Sequence, residues 1–418
     1  MEVKPGYKQT DAGVIPTEWS TRTIIETTSK IIDYRGRTPR KLGMDWGGGD
    51  IPALSARNVK CGFIDFSEEC YLGSDALYTR WMTNGDAAPD DIVFTTEAPL
   101  GNVALIPDER RYILSQRTIL LKANPTLAFS PFLFQLMLSD HFQKLLSENS
   151  SGSTAQGIKR KKFEQLQVTC PPVVEQRAIA EALSDVDALL AGLDRLIAKK
   201  RHLKQAAAQQ LLTGQTRLPG FGGKWERLYL GNMLTVKATY GIVTAGEFKS
   251  NGIPMVRAGD IKVGRIGRDM PFVSHEKSAE YERTVLRRND VVIALVGYPG
   301  EAARVPVSLE GANISRAVGL LRLNSRIMPD YLVSYLNSPV GRRMVLAPSA
   351  GSAQLVVNLA ELNKLRFSLP PVPEQTAIAA VLSDMDAELS ALETRRDKTR
   401  ALKQAMMQEL LTGRTRLI

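Results

Sequence analysis

One stretch of this chain occurs twice. Residues 171–218, beginning PPVVEQRAIAEALSDVDALL, align without a gap with residues 370–417, beginning PPVPEQTAIAAVLSDMDAEL; 29 of the 48 aligned positions are identical, at an offset of 199. A period that long is not a solenoid of short repeats; it is a duplicated domain followed by a duplicated helix. The segments ahead of each helix match more faintly. IPALSARNVKCG from Ile51 pairs with IPMVRAGDIKVG from Ile253, and DDIVFTTEAPLG from Asp90 with NDVVIALVGYPG from Asn289. Arg117 and Arg316 share the 199 offset, as do Gly152-Ser153 and Gly351-Ser352. Short β-branched and aromatic runs cut by Gly, Pro, Asn and Asp read as strands: DIVFTT, YILSQRTILLKA, VVIALVGY and AVGLLRL. A helical patch ends each segment, PFLFQLMLSDHFQKLL and PDYLVSYLNSPVGRRMV. The expected layout is an α/β (α+β) head over 1–170, a helix over 171–218, a second head over 219–369 and a second helix over 370–418.

The helices carry their own instructions. Pro171-Pro172 precedes a proline-free run, and Gly214 stands where a helix stops in the left-handed conformation. Apolar residues fall at Ile179, Leu183, Val186, Leu190, Leu193 and Ile197, a heptad seam. In the second copy the seam is Ile378, Leu382, Met385, Leu389 and Leu392. Each helix is acidic first and basic last: net −4 over 175–194 and +6 over 195–217, then −5 over 374–393 and +5 over 394–418. A parallel pair sets like charges side by side; an antiparallel pair sets each acidic half against a basic one. Exposed pairs are worth only about 0.2–1 kcal/mol each. Several acting in one sense choose between otherwise equal apolar seams. The expectation is a long antiparallel two-helix coiled coil, about 57 Å for some 38 residues, with a pseudo-two-fold axis and a head at each end. The competing reading lays each helix on its own head.

Several chemistries find no support in the residues. Cys61, Cys70 and Cys170 have no C-x-x-C spacing, so three buried thiols are expected rather than a metal site. His141, His202 and His275 lie far apart, and no P-loop G-x-x-x-x-G-K-[ST] occurs. Pro171-Pro172 and Pro370-Pro371 lack the polar residue and the aromatic with which amino-methyltransferases hold a flipped base; they read as the start signal of a helix. Pro89-Asp90 has no Glu-x-Lys partner of the nuclease type. The glycine-rich LPGFGGKWE around Gly220 reads as a linker. No catalytic or metal site is expected. With no apolar run of about 18 residues and no apolar core in the first residues, a cytoplasmic protein without membrane contact is expected.

The charge points elsewhere. Lys and Arg number 54 against 44 acids, a net +10, which fits a polyanionic partner. The loop-like stretches of the first head offer Arg35, Arg37, Arg40 and Lys41 with Tyr34 for stacking, then Arg57 and Lys60. The second head offers Lys249, Arg257, Lys262, Arg265 and Arg268. Such side chains read base edges or hold phosphates, and each one could equally be an ordinary solvated charge. Arg117 and Arg316 fit structural ion pairs equally well.

The Pro-Pro-x-x-Glu-Gln start, the Leu-Lys-Gln and Leu-Leu-Thr-Gly blocks, the duplicated head elements and DYRGRTP together resemble the specificity subunit of type I restriction–modification systems, over nearly the whole chain. The resemblance implies two target-recognition domains, each reading one half of a bipartite site in double-stranded DNA. It implies helices that act as spacer and as dock for two methylation subunits, with restriction subunits joining the full complex. S-adenosylmethionine, ATP and Mg are then expected on those partners and no cofactor on this chain. A stand-alone two-headed DNA-binding regulator, an orphan specificity subunit and a structural adaptor are the alternatives.

Overall fold

The computed structural model describes residues 4–10, 13–152, 156–349 and 355–418. Ser153, Gly351 and Ser352, which belong to one of the repeated pairs, lie outside the described residues. The chain forms two compact units. One contains Met1–Leu193 and Arg395–Ile418, the other Asp194–Thr394. Both boundaries fall inside long helices, Val173–Thr213 and Val372–Leu410, so each unit holds the start of one helix and the end of the other.

In the first unit the central sheet has four antiparallel strands, in the order Thr28–Asp33, Thr118–Ala123, Ile92–Thr96, Leu100–Leu105. Its strands are nearly continuous apolar runs because both faces are covered. Ile31, Ile92, Phe94, Ile119 and Leu121 face a core shared with the helices. Ile32, Val93, Leu120 and Ala104 alternate with them and face a second core. That second core lies under a three-stranded sheet, Tyr71–Gly73, Ile51–Leu54, Ile113–Leu114, whose last pair is parallel. The helical patch of the first head is two helices, not one. Ser139 ends Ser130–Leu138 and caps Asp140–Glu148, accepting from the Phe142 amide at 3.2 Å.

The second unit repeats the plan. Its four strands follow the order Thr239–Tyr240, Val318–Leu321, Val291–Ala294, Ala302–Arg304, and its three-stranded sheet contains Ile253–Val256 parallel to Asn313–Ile314. Val291 and Ile293 face one core, Val292 and Ala294 the other. Ser338 makes the same break, between Pro329–Asn337 and Pro339–Leu346. Asp90 and Asn289, at the same place in the repeat, both have positive φ, 64° and 70°, a conformation that Asp and Asn tolerate better than most residues.

Within each unit the two helix segments run antiparallel. In the first, Ile179, Ala180 and Leu183 share a core with Leu410 and Leu411; in the second, Ile378, Ala379 and Leu382 share one with Ala208, Leu211 and Leu212. Of the seam residues, Leu193, Ile197 and Leu389 are also buried, while Val186, Leu190, Met385 and Leu392 are half-buried. Opposite charges meet as the antiparallel sense requires. Lys200 pairs with Glu388 at 2.6 Å, Lys204 with Asp386 and Arg201 with Glu393 in the second unit, and Lys403 with Asp187 at 2.8 Å in the first. The start of each helix also lies on the head it follows, so the competing reading holds for the first turns. Gly214 and Gly413, both with φ of 72°, end the helices.

The Glu-Gln of the repeated motif is structural. Gln176 donates to the carbonyls of Pro171 and Leu127, both at 2.8 Å, and accepts from the Phe129 amide at 2.8 Å. Gln375 does the same with Pro370, Arg326 and Met328, at 2.8, 2.9 and 2.8 Å. Glu175 is fully buried and accepts from Trp19 Nε1 at 2.8 Å and from Arg416 Nη2 at 2.9 Å. Glu374, also fully buried, accepts from Trp225 Nε1 at 3.1 Å and Arg217 Nη2 at 2.6 Å. A buried carboxylate needs such partners. They tie the linker around Gly220, through Arg217 and Trp225, to the start of the second helix.

Candidate nucleic-acid interface

The loops between these strands carry the divergent residues on a shared scaffold. Asn58 accepts from the Ser55 amide at 3.2 Å, and Asp260 from the Arg257 amide at 2.8 Å, closing equivalent turns after Ile51–Leu54 and Ile253–Val256. A β-hairpin-like excursion follows each turn. Its glycine amide bonds back to the central sheet: Gly62 to Val103 at 2.9 Å, Gly264 to Ala302 at 3.0 Å. The tips therefore project from a fixed base, carrying exposed Cys61 and Phe63 in one head and exposed Val263 and Arg265 in the other.

The candidates named from the sequence divide into two groups. Tyr34 is 2% exposed, its ring in the second core and its hydroxyl donating to the Gly85 carbonyl at 3.1 Å, so the ring is no stacking platform. Arg35 is spent on Asp33, with Nη2 at 2.6 Å from Oδ2, and on the Thr96 hydroxyl at 2.9 Å. Burial raises the cost of ionising Asp33, but the hydrogen bonds and charge of Arg35, with Arg160, outweigh it and hold the carboxyl below its ordinary value. Arg37 donates to the Trp81 carbonyl and the Thr83 hydroxyl and lies 4.7 Å over the Tyr34 ring. Arg257 is spent on its own turn, with Nη2 at 2.8 Å from Asp260 and 3.0 Å from the Asp269 carbonyl. These four hold the loops in place.

The others face solvent more freely. Arg40 is exposed on the short turn Pro39–Leu42, beside Lys41, whose Nζ reaches the Gly36 carbonyl at 2.6 Å. Arg57 is exposed near Glu69 at 3.1 Å, and half-buried Lys60 pairs with Glu68 at 3.0 Å. Lys262 is exposed with its Nζ 4.5 Å over the Tyr298 ring, and Lys249, Arg265 and Arg268 are exposed. The three cysteines are free; Cys61 is exposed and Cys70 half-buried, so only Cys170 is the buried thiol expected of all three.

The first head also has a cleft, walled in part by its two basic clusters. It measures about 390 Å³ and lies between the 37–39 turn, the 55–57 turn and the 115–117 loop. Its aromatic wall is a row of three rings, one pair stacked and one tilted. Trp81 touches Trp46 at 5.4 Å, and Trp46 lies parallel to Tyr71 at 5.3 Å and 8°. Tyr71 is 60% exposed. Gln116 and Arg117 line the same cleft. Trp46 sits in a glycine-rich run that gives no strand or helix signal, and Tyr71 lies in a three-residue strand. Arg37 and Arg57, from the two basic clusters, and Arg117, through its repeat partner Arg316, are the lining residues that the sequence pointed to.

Comparison with known proteins places this scaffold. Residues 16–199 and 223–400 each match the profile described as the type I restriction modification DNA specificity domain. The chain is 22% identical over 428 residues to the EcoKI specificity subunit of Escherichia coli K12, covering 96% of this chain and 89% of that one. It is 24% identical over 409 residues to the StySPI specificity subunit of Salmonella potsdam, covering 91% and 85%. The match to the Escherichia coli EcoBI specificity subunit, 24% over 292 residues, takes in 64% of this chain and 61% of that subunit. Two solved chains share the fold with TM-scores of 0.58. One is the S subunit of a type I restriction-modification system from M. genitalium, 14% identical and covering 98% of both chains. The other, 19% identical and covering 96% of this chain and 99% of that one, comes from work on assembly and conformational transition of the type I R-M system.

Proposed function

Because the chain belongs to the type I restriction modification DNA specificity domain family, we propose that it is the sequence-specific DNA-recognition subunit of a type I restriction–modification complex. Each head reads one half of a bipartite site. One observation carries the reading: the family domain occurs twice, on heads whose strands and caps repeat while their loops differ. A duplicated scaffold with divergent loops suits two half-sites of different sequence. The exposed side chains Arg40, Lys41, Arg57, Lys249, Lys262 and Arg265, with the half-buried Lys60, supply phosphate or base contacts.

The chain itself is non-catalytic. It docks two methylation subunits on the duplicated helices, which also fix the spacer, and restriction subunits complete the complex in the cytoplasm. S-adenosylmethionine, ATP and Mg are held by those partners. The test is methylation-pattern sequencing of randomised DNA exposed to this chain assembled with methylation subunits. The expected product is an interrupted site with two unlike halves. Methylation at one uninterrupted stretch, or without sequence preference, overturns the reading.

A further inference from the structure

We infer that the cleft of the first head is its base-reading site, with Gln116 and Arg117 as the specificity-determining residues; this rests on the function proposed above and assigns it to particular side chains. Three observations carry the assignment.

The first is backbone conformation. Arg117 has φ of 66°, a left-handed value that costs a non-glycine residue and persists only when the surroundings impose it. The surroundings are explicit: its carbonyl accepts from the Thr96 amide at 2.9 Å and the Thr96 hydroxyl at 3.3 Å. The same Thr96 hydroxyl accepts from Arg35 at 2.9 Å. Arg316, the repeat partner, has no such conformation, and its amide bonds to the Ile242 carbonyl at 2.8 Å. The feature belongs to one head, as a half-site-specific reader should.

The second is availability. Among the described residues the Gln116 amide has no hydrogen-bond partner. The Arg117 guanidinium has only the Glu97 carboxylate at 3.7 Å, with both side chains about half exposed. Arg35 and Arg37, by contrast, have spent their donors on protein. Gln matches the edge of adenine and Arg that of guanine by paired hydrogen bonds in the major groove.

The third is what else lines the cleft. The Trp46–Tyr71 stack offers a flat apolar wall for a thymine methyl or a base face, and Arg57 at the rim offers charge for a phosphate. A surface that reads DNA combines such base-edge groups with backbone anchors.

The experiment uses the full chain assembled with methylation subunits, and reads base preference at every position of a randomised bipartite library. Gln116→Ala and Arg117→Lys should each lower preference by about tenfold at one or two positions of one half-site, leaving the other half-site unchanged. Arg57→Ala should weaken all sequences alike and make binding less salt-dependent. Arg117→Gly relieves the left-handed backbone, so it should keep or raise the melting temperature while losing the preference; a purely structural arginine would show the reverse. If the wild-type complex has no bipartite preference, the functional reading fails and takes this assignment with it. If the wild type is selective and both variants keep its preferences at every position, or lose them in the other half-site, the cleft assignment alone fails.

Discussion

At the scale of single residues, the repeated Glu-Gln pair lies inside while the repeated Leu203 and Leu402 lie outside. Both residues of the Glu-Gln pair that marks each helix start are fully buried in both copies. Glu175 is answered by Trp19 and Arg416, Glu374 by Trp225 and Arg217. Removing one partner strands a buried carboxylate, at a cost of about 3 kcal/mol. Arg416→Ala should therefore loosen the first unit, and Arg217→Ala the second, each seen as faster amide exchange confined to that unit's helix start. Asp33 gives a pH dependence. Its carboxyl titrates below the ordinary 3.8 in the folded protein, so the Arg35 pairing stabilises fully above that value and is lost as pH falls through the lower folded one. The stability difference between wild type and Asp33→Asn, followed by denaturant titration, should shrink on acidification. The sequence offered Arg35 and Arg37 as DNA contacts because it shows charge but not partners. Thr83 and the Trp81 carbonyl, which consume Arg37, are brought in by chain folding; Asp33 is only two residues from Arg35, and it takes the fold of the turn to aim one at the other.

At the scale of elements, the two long helices were legible almost to their ends, since proline, glycine, seam and charge all agree. Their direction was legible too, because the acidic and basic halves allow one sense of pairing. Lys200, Arg201 and Lys204 meet Glu388, Glu393 and Asp386 in the second unit. Reversing the three bases to Glu should cost about 1–3 kcal/mol, measured as a lowered denaturation midpoint. Adding Lys at 386, 388 and 393 should restore most of it, as coupled pairs do. The heads were legible as strand-rich, because two-sided burial writes unbroken apolar runs. The break at Ser139 and Ser338 was hidden: a serine inside a helical pattern announces itself as a cap only when the next amide turns to meet it. The cleft was hidden for a similar reason. Trp46 and Gln116 come from loops and Tyr71 from a short strand, far apart in the chain, and no periodicity links them.

At the scale of the whole chain, the compact units do not follow the order of synthesis. The second is built from one continuous run, Asp194–Thr394. The first needs Met1–Leu193 and then the distant Arg395–Ile418. Leu410 and Leu411 fill a core otherwise walled by Trp19, Ile179 and Leu183, and Arg416 answers Glu175. During translation, which proceeds from the amino end, the half made earliest must therefore wait, its apolar wall uncovered, until residues 395–418 have emerged, while the half made later closes before it.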